Sequence, residues 1–438
     1  MTDLGDPEPL ETPGLTLRIP AGTRAFRHRN FRLYWSGQAL SLVGTWMQSV
    51  AQAWLILTLT NDPFMLGLLS AVQWGPVLLF GLFGGVLADA LPKRRVLIVT
   101  QSIAMVLAFT LGILALTGAV QEWHVLLLAL LLGINNVVDL PTRQSFVYEM
   151  VGREDLANAV ALNAASFNAS RIIGPAVGGL AIAAFGVPLA FIINGFSFMG
   201  TIGSLIAMRP AELRTPPRTA LPRSPGAVLG TLGEGLGYVR RTPHVLLVLL
   251  VLGLVSTVGM NFSVVIPPLA RDILHAGPQG FGFLMAATGF GALLATVLLV
   301  VGRPSVTTVI AGALLLGVLS MVLAVSQVMP LSLAAMFLIG LGGITMAMGT
   351  NTTVQMSVPN ELRGRVMSVY TTIFAGTTPI GGLFQGSIAS GLGTDVSIFA
   401  GGVLSVIIAL AAGIVAWRQG LLRRAPVPGA PGGGSPER

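Results

Sequence analysis

Cysteine is absent from the 438 residues. That excludes a disulfide framework, a thiolate nucleophile and any Cys-ligated zinc or iron–sulfur centre. Charge is scarce too: Asp, Glu, Lys and Arg make up 10% of the chain, against roughly 25% in soluble domains. Lys93 is the only lysine, and no G-x-x-x-x-G-K-[ST] loop occurs, so ATP-driven transport has no support. His28, His124, His244 and His275 stand in four separate segments without H-E-x-x-H or other ligand spacing, so no metal is expected. No nucleophile elbow with a plausible triad occurs either. Neither an enzyme nor a resident cofactor is expected.

Apolar residues are what the chain has in abundance. Hydrophobic types are 53%, glycine contributes 55 positions, and the mean hydropathy is +0.81. There is too little polar surface to cover globules of this size, so the bilayer is the solvent. Apolar runs fall at roughly 33–59, 65–89, 96–118, 124–146, 158–185, 188–208, 244–266, 280–301, 306–326, 331–353, 367–391 and 397–417. Runs of about 20 residues read as spanning helices, whereas a barrel would alternate over about ten residues. The expected fold is an all-α integral membrane protein with twelve transmembrane helices.

The remaining charges carry a topology. Arg24, Arg27, Arg29, Arg32, Lys93, Arg94, Arg95, Arg153, Arg209, Arg214, Arg218, Arg223, Arg240, Arg241, Arg303, Arg363, Arg365, Arg418, Arg423 and Arg424 all fall on one side when twelve spans are threaded. The other side holds Asp62, Glu122, Asp272 and Asp395, with Arg271 as its only basic residue. The positive-inside bias makes the first side cytoplasmic, with both termini there and the protein in the cytoplasmic membrane. The net charge of +8 is thereby a topology signal, and no nucleic-acid partner is expected. A Pro- and Arg-rich stretch divides the chain six spans from six. The expected units are a disordered tail over 1–30, a six-helix bundle over 31–208, a cytoplasmic linker over 209–243, a second bundle over 244–417 and a tail over 418–438. Asp155-Leu156-Ala157-Asn158 followed by Gly174-Pro175-Ala176-Val177-Gly178-Gly179 is echoed by Glu361-Leu362-Arg363-Gly364 followed by Thr378-Pro379-Ile380-Gly381-Gly382. Parallel repeats about an axis along the membrane normal would produce such an echo.

Between the second and third spans stands Gly85-Val86-Leu87-Ala88-Asp89-Ala90-Leu91-Pro92-Lys93-Arg94-Arg95-Val96-Leu97. This resembles the signature loop of the major facilitator superfamily, departing from it at Ala90 and Pro92. The resemblance implies two six-helix bundles that rock about a central site. Gly85 would admit close helix approach, and Asp89, with Lys93 and Arg94, would latch the bundles against the eleventh span. Gly174, Pro175, Gly178 and Gly179 resemble the motif of the exporting branches; a kinked, glycine-lined helix suits a hinge or seal. Asp139-Leu140-Pro141-Thr142-Arg143-Gln144-Ser145-Phe146, then Leu156-Ala157-Asn158-Ala159-Val160-Ala161-Leu162-Asn163, then Arg171-Ile172-Ile173-Gly174-Pro175 resemble the transmembrane secretion effector branch, which includes enterobactin exporters and macrolide-efflux relatives.

Ionisable groups inside spans are functional candidates by their cost. Asp139, Arg143 and Arg171 are therefore expected either to couple protons or to form a structural ion network. Spans one, four, seven and ten line the pore in this fold, which makes Gln48, Gln52, Asn135, Asn136, Asn261 and Asn351 cavity candidates, with helix packing as the alternative role for each. The expected function is secondary active export of small amphipathic molecules, drug- or siderophore-like, by alternating access with proton antiport. The expected partners are the substrate, protons and membrane lipid. Uptake by the same fold, and a non-transporting membrane protein such as a lipid scramblase or assembly partner, remain as alternatives.

Overall fold

A computed structural model of the chain describes residues 21–214, 225–301 and 305–421. Among these every regular element is helical. A 3-10 helix, Ala21–Arg27, leads into α1 (Arg29–Thr60), α2 (Pro63–Ala90), α3 (Lys93–Leu116), α4 (Glu122–Phe185) and α5 (Val187–Ile206). Then follow α6 (Pro225–Arg241), α7 (Pro243–Gly259), α8 (Phe262–Pro268) with a π-helical turn Leu269–Ile273, α9 (Gly277–Val301), α10 (Val306–Val325), α11 (Met329–Ser357), α12 (Asn360–Leu392) and α13 (Thr394–Arg418).

Among the described residues ten helical stretches are long and apolar enough to cross a bilayer, but the crossings number twelve. At 64 residues α4 would be about 96 Å long, far beyond a hydrocarbon core of about 30 Å. It is broken at Gly152, with φ 71° and ψ −173°. Phe146 packs edge-on against Tyr34 at 5.9 Å, while the Leu162 carbonyl accepts from Trp35 Nε1 at 3.1 Å. Residues on either side of the break thus flank neighbouring positions of α1, so the chain has doubled back. Glycine holds such a φ without the steric cost any other residue meets. The remaining crossing is α12, which opens with Glu361, Arg363 and Arg365 and lies along α2.

The first six crossings form one bundle and the last six another. In the first, α1 packs on α4 and α5, and α3 on the same two; in the second, α10 packs on α11 and α13, α9 on α11, and α7 on α12 and α13. Two seams join the bundles, α2 against α12 and the second half of α4 against α9. Lipid tails are as apolar as leucine, so close packing rather than water exclusion holds such seams. Glycines supply it: a Cβ on Gly382 would lie 3.1 Å from Ser70 Cβ, and one on Gly179 would lie 3.0 Å from Gly282 Cα. The outer faces carry exposed Leu79, Phe80, Phe185, Val325 and Trp417, as a lipid-facing surface should.

The internal echo in the sequence corresponds to equivalent packing. Gly174 and Gly179 set α4 between α1 and α9; Gly381 and Gly382 set α12 between α7 and α2. The expected first tail shortens, since the chain is helical from Ala21 and Asp155 and Asn158 hold that segment. The expected linker contains α6, tied to α12 by a Glu234–Arg365 ion pair and to the end of α11 by Tyr238 donating to the Ser357 carbonyl at 3.2 Å. Residues 1–20, 215–224 and 422–438, with Arg303, lie outside the described residues.

Candidate functional site

Asp139 sits where the first half of α4 crosses α3. It is 1% exposed, and its carboxylate accepts from the Thr100 hydroxyl at 2.6 Å, the Gln101 amide at 2.8 Å and Arg143 Nε at 2.5 Å. The i,i+4 spacing to Arg143 survives Pro141 and puts both on one helix face. Thr100 and Gln101 come from another helix and had no signal in the sequence beyond being polar residues in an apolar run. Arg171 does not join the cluster. It lies on the second half of α4, partly buried, and makes no hydrogen bond or ion pair among the described residues. An uncompensated arginine at mid-bilayer costs about 2.5–3.5 kcal/mol on insertion scales.

The loop between α2 and α3 divides into two kinds of residue. Lys93 and Glu149 form a buried ion pair at 2.9 Å, with side chains 7% and 6% exposed. Arg94 donates to the Leu205 and Ile206 carbonyls at 2.7 and 3.2 Å, satisfying the carboxyl end of α5. Both therefore brace the first bundle internally instead of latching it to the second. Asp89 is exposed and has no partner among the described residues. Gly85 meets nothing within 4 Å; the close approach of α2 to α4 is made one residue earlier, by Gly84 on the Val137 backbone. One residue is about 100° of helix rotation, enough to exchange a packed face for an open one.

Gly174, Pro175, Gly178 and Gly179 form a two-sided surface. Gly174 and Gly178 lie against Val43, Trp46 and Met47 of α1, while Pro175 and Gly179 lie against Gly282 and Pro278 of α9. This seam is one part of a closed end. Nearby, Trp54 stacks on Phe281 at 6.4 Å, and Arg271 donates to the Leu57 carbonyl at 3.1 Å and to Asn61 Oδ1 at 2.9 Å. The α4–α9, Trp54–Phe281 and Arg271 contacts cross between bundles toward the end bearing Asp62, Glu122, Asp272 and Asp395. At the basic end Asp89, near the α2 face that carries Gly67 and Leu78 against the second bundle, and Gly364 of α12 are exposed instead. The interbundle seam, stack and hydrogen bonds thus lie toward the acidic end, and at the basic end Asp89 and Gly364 are left open.

Of the six polar cavity candidates, three have other duties. Gln48 accepts from Asn194 of α5 at 2.6 Å, Asn135 donates to the Thr100 carbonyl at 3.2 Å, and Asn261 donates to the Thr257 carbonyl at 2.9 Å. The first two are turned toward helix contacts, and Asn261 satisfies the backbone where α7 breaks before α8. Gln52 is 4% exposed within the α1 packing. Asn136 and Asn351 are the partly open ones, the latter accepting from Gln355 at 2.6 Å.

A sealed pair of six-helix bundles with charge buried inside one of them defines a transporter, and comparison with known proteins gives its kind. The family model described as transmembrane secretion effector matches residues 21–422. The chain belongs to that family, whose characterised relatives are major facilitator transporters and not enzymes. It is 28% identical over 368 residues to the multidrug efflux pump Tap of Mycolicibacterium fortuitum, covering 82% of this chain and 88% of that one. It is 25% identical over 368 residues to the enterobactin exporter EntS of Escherichia coli, covering 83% and 86%. Among solved structures, a bacterial homologue of the lysosomal transporter Spinster, inward-facing and occupied, superposes with a TM-score of 0.70 at 15% identity over 92% of this chain and 99% of that one. A peptide transporter of the POT kind gives 0.71 at 16% over 90% and 96%.

Proposed function

We propose that the protein exports small amphipathic molecules, drug- or siderophore-like, across the cytoplasmic membrane by alternating access, in exchange for protons. The observation that carries this reading is the one-sided seal. Under the positive-inside bias the basic end is cytoplasmic, with both termini there, so the open side is the one from which an exporter loads. Similarity to a drug efflux pump and a siderophore exporter supports the kind of substrate. Gly174, Pro175, Gly178 and Gly179 then form part of the outer seal and hinge. Gly85 and Asp89 are the cytoplasmic gate, unengaged now and meeting α12 when that end closes.

Asp139 is the proton site in this reading. In this state its carboxylate is held by Thr100, Gln101 and Arg143. Reloading requires the outward-facing state to draw Arg143 away from Asp139. The test is efflux profiling of a deletion strain against antibiotics and siderophores. Export predicts greater sensitivity or lower secretion, restored by the wild-type chain and not by Asp89→Asn or Asp139→Asn. A strain that becomes more tolerant would show uptake instead, and full complementation by Asp89→Asn would favour a protein that does not transport.

A further inference from the structure

We infer that Arg171 is the charge-selecting residue of the transport site, and that the preferred substrates are anions with an apolar or aromatic body. The inference rests on the transport reading and names its substrate class. Three rows of residues fix the direction of Arg171. Phe167, Gly174 and Gly178 face α1, since Phe167 meets Trp46 and the two glycines meet Val43, Trp46 and Met47. Ile172, Pro175 and Gly179 face α9 of the other bundle. Ile173, Val177 and Leu180 are exposed at 48, 43 and 50% and form the lipid side. On a helix of 3.6 residues per turn, Arg171 falls between the first two rows and opposite the third. It points into the space between the bundles.

The charge there has no counterion. Asp139 and Arg143 neutralise one another, and Asp139 is turned toward α3. The described crossings of the second bundle carry ionisable side chains only near their ends. Arg171 is thus the single uncompensated charge at mid-depth among the described residues, and a guanidinium pairs with carboxylate, sulfonate or phosphate in a fixed two-point geometry. Beside it, one turn toward the basic end, Trp46 and Phe167 form an edge-on pair at 5.8 Å with Phe167 46% exposed. A guanidinium next to an open aromatic ledge fits an anionic head on an apolar body.

The experiment measures binding to the purified full chain by calorimetry, using two probes of equal body and opposite permanent charge, naphthalene-2-sulfonate and 2-naphthyltrimethylammonium. The sulfonate should bind at least about tenfold more tightly to the wild-type chain. Arg171→Gln should remove that preference, and Arg171→Lys should keep most of it. Equal binding of the two probes, binding of neither, or an unchanged preference in Arg171→Gln overturns the inference. The wild-type comparison stands even if Arg171→Gln does not fold. Sulfonate preference in a protein that moves no sulfonate in proteoliposomes would overturn the transport reading and leave the binding site intact. Transport that prefers the ammonium probe would do the reverse.

Discussion

Arg271 of the second bundle donates a hydrogen bond to the Leu57 carbonyl at the carboxyl end of α1 in the first. It is the one basic residue threaded to the acidic end, and it sits where the unsatisfied carbonyls of α1 carry partial negative charge. Its Nη1 also reaches Asn61 Oδ1.

Removing this clasp should shift the conformational balance. A hydrogen bond to a charged group contributes about 1.5–3 kcal/mol, so Arg271→Ala should raise the population open at the acidic end by about tenfold or more. Spin labels on Thr58→Cys and Gln279→Cys report it in a chain with no native thiol. Unchanged distances would mean that the helix seams and the Trp54–Phe281 stack hold the end shut without it.

Lys93 and Asp89 should separate stability from transport. Breaking a buried ion pair leaves a charge uncompensated, so Glu149→Gln or Lys93→Met should destabilise the first bundle by about 3–5 kcal/mol. Asp89 has no partner in this state, so Asp89→Asn should stay within about 0.5 kcal/mol of wild type while efflux falls. Thermal unfolding in detergent beside an efflux assay distinguishes the two. Loss of stability in Asp89→Asn would contradict the assignment of Asp89 to a contact formed only in the other state.

The docking of the first helical turn is pH-dependent with a definite sign. Burial raises the Asp155 carboxyl, but the hydrogen bond from His28 and the Arg27 guanidinium outweigh it and hold the carboxyl below its usual range. Arg27 Nε lies 2.6 Å and His28 Nε2 2.8 Å from that carboxylate. A depressed pKa contributes stability above the ordinary carboxylate value of about 3.9, and the contribution is lost as pH falls through the folded value. A fluorophore on Gly22→Cys should therefore remain immobile from neutral pH down to about 4 and loosen below it. Asp155→Asn should loosen it at neutral pH; immobility in that variant would show that Asn158, which bonds Ala25 N–H at 2.8 Å, suffices.

The twelve crossings and the six-and-six division were legible because bilayer thickness sets the length of an apolar run, and because arginines mark one side. The Asp139–Arg143 pair was legible because both partners lie on one helix, four residues apart. Thr100, Gln101, Glu149 and Asn194 were not legible as partners. They come from other helices, and their contacts depend on helix rotation, which no run of apolar residues specifies. The same limit explains why Gly84 and not Gly85 makes the close approach, and why Gln48 and Asn135 turn into packing. Arg171 was visible as a buried charge, but its separation from Asp139 depends on the fold back at Gly152.

Export from the basic side is tested most directly in everted membrane vesicles, whose cytoplasmic face is outward. With an interior-acid pH gradient imposed, a fluorescent substrate identified by the efflux profiling should accumulate inside vesicles bearing the wild-type chain and be released when the gradient is collapsed. Asp139→Asn should lose the gradient-driven accumulation while retaining exchange of substrate for substrate. Accumulation only in right-side-out vesicles, or gradient-driven accumulation at the wild-type rate in Asp139→Asn, would contradict proton-driven export through this chain.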